Sequence, residues 1–89
     1  MISTQTLKLV NEYINIVNNA LTDGRHKGDG NLYYKHHILP RSLYPDFKHK
    51  EWNIVLVTYA EHKRLHEILA ECTVSHCQEI MKRDLNYFR

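Results

Sequence analysis

Tyr33-Tyr34-Lys35-His36-His37-Ile38-Leu39-Pro40, then Trp52-Asn53-Ile54-Val55-Leu56-Val57-Thr58, then Glu61-His62-Lys63-Arg64-Leu65-His66 is the stretch that decides how this chain folds. Leu32 to Leu39 is aromatic and β-compatible and reads as a strand that Pro40 ends. Ile54 to Val57 is too short a run for a helix and reads as a second strand. Residues 40–51 between them are an irregular loop with a turn signal at Tyr44-Pro45-Asp46, so the two strands form a hairpin with a large insertion. Thr58 then opens a helix. With Glu61 three residues on, each side chain can satisfy the other residue's backbone N–H, which is a capping box. That helix turns Ala60, Leu65, Ile68 and Leu69 to the core and runs to about Ala70 or Glu71.

Four of the seven histidines lie in this stretch. His62 and His66 have i,i+4 spacing, so both rings project from one helical face. Imidazole is the commonest side-chain ligand of transition metals and a proton acceptor near neutral pH. A hairpin backed by a helix can place one ligand from the strand end and two from the helix around a single metal.

Outward from the hairpin, residues 4–21 read as an amphipathic helix with Leu7, Val10, Ile14, Val17 and Leu21 at spacings of three and four. Ser3 or Thr4 caps its start and Gly24 supplies its stop. The stripe serves the domain's own core or, as a second reading, the seam of a homodimer. Residues 22–31 hold all three glycines and form a polar loop. A third helix, about 74–87, starts near Thr73 or Ser75 with Val74, Cys77, Met81 and Leu85 as its apolar side.

Hydrophobic content of 43% and charged content of 25% are ordinary for a globular chain, and 89 residues allow one domain, residues 1–89. A chain this short often needs a metal, a disulfide or a partner subunit to hold its fold. No apolar run reaches the roughly 18 residues of a membrane span, and no signal peptide is legible, so a cytoplasmic protein with no membrane partner is expected. Cys72 and Cys77 are too far apart for the usual zinc pair and read as small buried thiols near a helix junction. The formal net charge is only +2, but residues 25–50 carry six Lys or Arg against two acidic residues. That basic excess surrounds the first histidine pair and suits a phosphate-bearing substrate, or else a solvated basic loop.

The pattern His36-His37-Ile38-Leu39-Pro40-Arg41-Ser42-Leu43, then Trp52 to Thr58, then Glu61-His62 and His66, resembles the HNH endonucleases. It is most similar to their short phage-encoded members, and the His-His/Asn/His/His arrangement is also similar to the nuclease domains of DNase colicins. The resemblance covers about residues 32–70. It implies an α+β fold: a small ββα-metal finger, here with an N-terminal amphipathic helix and a C-terminal helix. It implies His37 as the general base, His36, His62 and His66 as metal ligands, and Asn53 as the brace of the loop that carries the catalytic histidine. Because adjacent strand residues point to opposite faces, a bend or the strand end must let one ring face the metal and the other the water.

The implied activity is hydrolysis of DNA phosphodiesters, by nicking or double-strand cleavage, with one divalent ion (Mg²⁺, Mn²⁺, Ni²⁺ or Zn²⁺). If the chain is phage-encoded, the compartment is the host cytoplasm. Arg41, Lys63 and Arg64 are the candidate DNA contacts, with solvated helix charge as the other reading of the last two. Tyr33, Tyr34 and Trp52 either stack on bases or pack in the core. His26, His49 and His76 read as surface or structural residues. The chain departs from the family where Tyr33, Tyr34 and Lys35 replace a Glu before the histidine pair, and where Tyr44 and Pro45 replace Gly-Gly. Two rival readings are a non-catalytic zinc-stabilised DNA-binding module and an interaction or inhibitor protein built on the nuclease scaffold.

Overall fold

The structure, a computed structural model, describes residues 3–26, 32–72 and Cys77. Helix α1 spans Thr4–Thr22, strands β1 and β2 span Tyr34–His37 and Ile54–Val57, and helix α2 spans Tyr59–Glu71. The strands form a two-stranded antiparallel sheet in which His36 faces Val55 and His37 faces Ile54. Among the described residues, two helices and one hairpin make a small α+β arrangement. The expected C-terminal helix lies outside the described residues apart from Cys77.

Local chemistry sets the element ends. Ser3 caps α1, its hydroxyl accepting from Thr6 N–H. The chain leaves α1 through Gly24 at φ +64, a left-handed conformation that glycine adopts without Cβ strain. Thr58 and Glu61 complete the capping box of α2 in both directions. The first strand is shorter than the aromatic run suggests, because Ile38 and Leu39 bend away from the sheet before Pro40.

The segment after Pro40 is more ordered than an irregular loop. The N–H groups of Leu43 and Tyr44 both donate to the Pro40 carbonyl. Two 3₁₀ turns follow, Pro45–Phe47 and Glu51–Asn53. Pro45 suits the first position of such a turn because its N–H would lack a partner there anyway. Tyr44 stacks on Phe47 and Phe47 tilts against Trp52, so Trp52 packs into this insertion.

The core lies where α1 and α2 cover one face of the hairpin: Val10, Tyr13, Val17 and Ala20 from α1, Ile38, Val55 and Val57 from the hairpin, Leu65 and Ile68 from α2. The buried face of α1 therefore differs from the expected stripe. Leu7 and Leu21 are each 39% exposed, while Tyr13 and Ala20 are buried. At 100° per residue the true face is rotated by about 60° from the aliphatic one. Tyr13 accounts for much of this, since its ring is buried and its hydroxyl finds two partners beneath the hairpin. On α2, Leu65 and Ile68 are buried, but Ala60 is exposed and Leu69 only half-buried. No helix among the described residues is long and apolar enough to cross a membrane.

Candidate metal centre

The end of β1 delivers two histidines to different surroundings. His36 points into the core and is 1% exposed. His37, one residue on, is half-buried and lies toward the insertion. Both line one cleft of about 700 Å³ with Lys35, Arg41, His62 and His66. The capped start of α2 brings His62 and His66 to the same wall.

One nitrogen from each of His36, His62 and His66 lies within 4.8 Å of the other two. The Nε2 atoms of His62 and His66 are 2.9 Å apart. A tetrahedral ion with metal–nitrogen bonds of about 2.0–2.1 Å holds its ligand atoms roughly 3.3 Å apart, which falls inside this range. The rings meet edge to face, with His36 to His62 and His36 to His66 centroid distances of 5.4 and 5.3 Å. His36 Nδ1 is buried and has no hydrogen-bond partner. A buried lone pair without a partner costs free energy, and coordination to an ion removes that cost. The cluster can thus hold a metal ion.

The electrostatics agree. Burial pushes the His36 imidazolium down to a pKa of about 3, helped by repulsion from His66, His62 and His37. Burial, then repulsion from His66, also lowers His62. Rings held neutral keep lone pairs free for a metal at neutral pH. Tyr34 stacks on His62 with planes 19° apart and so fixes that ring's plane.

His37 is held differently. Its Nε2 lies 3.1 Å from the Lys48 carbonyl oxygen. A carbonyl only accepts, so the proton is on Nε2 and Nδ1 carries the lone pair. The insertion that supplies Lys48 is itself fastened by Asn53, which is fully buried. Asn53 Oδ1 accepts from Leu39 N–H at 2.8 Å, and its Nδ2 donates to the carbonyls of Leu39 and Phe47. Its own carbonyl accepts from Ile38 N–H.

The basic residues divide. Arg41 lines the cleft, and so does Lys35, which the sequence reading had not singled out as a substrate contact. Lys63 is exposed and does not line it. Arg64 turns to α1, where Nε and Nη2 bind the two carboxylate oxygens of Glu12 at 2.6 and 2.7 Å, with Glu67 also near. Arg25 belongs to the basic excess in sequence but is paired within the fold. Its guanidinium grips Glu61 through two bonds, donates to the Leu56 carbonyl and lies over the Tyr33 ring. This pairing holds the Glu61 carboxyl below the usual range and anchors the start of α2. His26 and His49 are exposed, and His76 lies outside the described residues.

Cys72 is half-buried and Cys77 buried, both as free thiols raised by burial. Cys77 lines the cleft but is not among the three clustered ligands.

Sequence reasoning missed Tyr13, which lies in α1 outside the histidine-bearing stretch. Its hydroxyl is 2.8 Å from His36 Nε2 and donates to the Ile38 carbonyl at 2.6 Å. The one available signal was a tyrosine interrupting an otherwise aliphatic helix face. Comparisons of the chain with family models, with curated proteins and with solved structures return no match. What the geometry defines is a small α+β domain with a three-histidine cluster open to a cleft.

Proposed function

We propose that this chain is a metal-dependent endonuclease of HNH type, a ββα-metal finger that hydrolyses DNA phosphodiesters. The observation that carries the reading is the division of labour between adjacent histidines: His36 joins His62 and His66, while His37 stands beside them with a free Nδ1. A purely structural site has no use for that fourth ring.

His36, His62 and His66 would hold one divalent ion, which when bound supplies charge stabilisation to the phosphate and to the departing oxygen. His37 Nδ1 takes a proton from water as its oxygen bonds to phosphorus. The bond from phosphorus to the 3′ oxygen breaks, and that oxygen takes a proton from solvent. General-base assistance of this kind contributes about 10²–10⁴-fold. The Lys48 carbonyl keeps the ring oriented and stabilises the imidazolium that forms. Lys35 and Arg41 line the cleft and attract the backbone phosphates.

His36, His62 and His66 would supply three protein ligands, the number that catalytic zinc sites use beside a water or substrate. Supercoiled plasmid incubated with Mg²⁺, Mn²⁺, Ni²⁺ or Zn²⁺, and with chelator, tests the reading. Metal-dependent conversion to nicked or linear forms is expected. Retained stoichiometric zinc without cleavage would transfer the site to a zinc-stabilised binding module.

A further inference from the structure

The geometry points to Tyr13 as the positioning residue of the metal centre: its hydroxyl holds His36 in the Nε2–H tautomer and so keeps the Nδ1 lone pair facing His62 and His66. A tyrosine hydroxyl has one hydrogen to give, and Tyr13 gives it to the Ile38 carbonyl at 2.6 Å, which can only accept. The 2.8 Å contact to His36 Nε2 must then run the other way, from ring N–H to hydroxyl oxygen.

Tyr13 is 0% and His36 1% exposed, so bulk water does not compete for either group. The opposite tautomer would ask the same hydroxyl hydrogen to serve both the ring and the carbonyl. It would also put the proton on a buried nitrogen that has no acceptor within reach. Nδ1 is the atom without a hydrogen-bond partner. The tautomer that satisfies Tyr13 is therefore the one that frees the ligand atom.

The consequence is topological. Tyr13 sits in the middle of α1, and its ring lies 5.9 Å from the His36 ring. Helix α1 is thus part of the site rather than a cover for it. Bonds that orient a ligating histidine fix its ring and raise its basicity, and their loss weakens metal affinity by about 10–100-fold.

The inference rests on the proposed metal site for its effect on affinity, but the tautomer is measurable without metal. In chelator-treated protein, nitrogen-resolved NMR of the histidine rings should show His36 protonated at Nε2 and not at Nδ1. A ring protonated at Nδ1 in the wild-type chain would overturn the inference. Tyr13→Phe keeps the ring volume and removes only the hydroxyl. It should show mixed tautomers at His36 and bind Co²⁺, followed by visible absorbance, about 10–100-fold more weakly. Equal Co²⁺ affinity in a folded Tyr13→Phe chain would also overturn it. Should that variant fail to fold, the wild-type tautomer decides alone. A wild-type chain with the Nε2–H tautomer but no Co²⁺ binding would sink the metal reading and leave only the tautomer set by Tyr13 standing.

Discussion

Asn53 pairs with the backbone of Leu39 in both directions, accepting from its N–H at 2.8 Å and donating to its carbonyl at 3.1 Å. Both residues are 0% exposed, so this two-way clamp is made without water. It ties the end of the first strand to the start of the second, and a further bond to the Phe47 carbonyl ties in the insertion. The position of His37 follows from the clamp, because its orienting carbonyl belongs to Lys48, next to Phe47.

Asn53→Ala should therefore cost both stability and site geometry. Each buried group left unpaired costs about 1–3 kcal/mol, and the change orphans more than one. A loss of at least about 2 kcal/mol in urea unfolding is expected. A loss below about 0.5 kcal/mol would mean that the clamp is solvated.

The Arg25–Glu61 pair predicts a pH dependence. Glu61 titrates below its ordinary value of 4.5 when folded, first because Arg25 donates to it. On acidification the unfolded chain takes up this proton before the folded one does. The pair's contribution is present above pH 4.5 and is lost as pH falls through the depressed folded value. Arg25→Met should lower stability at pH 7 by about 1–3 kcal/mol and flatten the acid limb of the profile. Parallel profiles for the two proteins, measured in chelator, would contradict the pairing.

Arg41 and Arg64 should separate in DNA binding. Arg41 lines the cleft, whereas Arg64 is spent on Glu12 of α1. Arg41→Ala should weaken duplex affinity and reduce the slope of log affinity against log salt by about one. Arg64→Ala should leave that slope unchanged. The reverse result would place the DNA on the helix face instead of the cleft.

Much of this arrangement was legible in the sequence because it rests on local rules. The second strand, the Thr58–Glu61 capping box and the glycine exit from α1 all follow from neighbours in the chain. That a strand-end histidine meets His62 and His66 followed from a strand end facing one helical face, whereas the choice of His36 over His37 came from the family resemblance. What was not legible depends on partners distant in sequence. The register of α1 follows the buried Tyr13 and not its leucines, and nothing local marks that tyrosine as a partner of His36. Arg25 and Arg64 look like free charge until Glu61 and Glu12 are brought to them by the fold. The 3₁₀ turns of the insertion are held by Asn53 and by a stacked Tyr44–Phe47 pair, which spacing alone does not reveal.

Metal should also stabilise the fold, since the cluster joins β1 to α2. At 100 times the dissociation constant, one bound ion adds about 2.7 kcal/mol. Thermal melting with Zn²⁺ and with chelator should show this upward shift, and His66→Ala should abolish most of it. His66 is exposed, so its truncation should leave the metal-free fold nearly unchanged.

The most direct test of the central claim is the cleavage rate of His37→Ala beside its metal content. His37 is outside the three-histidine cluster, so the variant should bind one ion per chain as the wild type does. Its plasmid cleavage rate should fall by about 10²–10⁴-fold at equal metal occupancy. Unchanged cleavage in the metal-loaded variant would contradict the role given to His37, and with it the division between the two adjacent histidines.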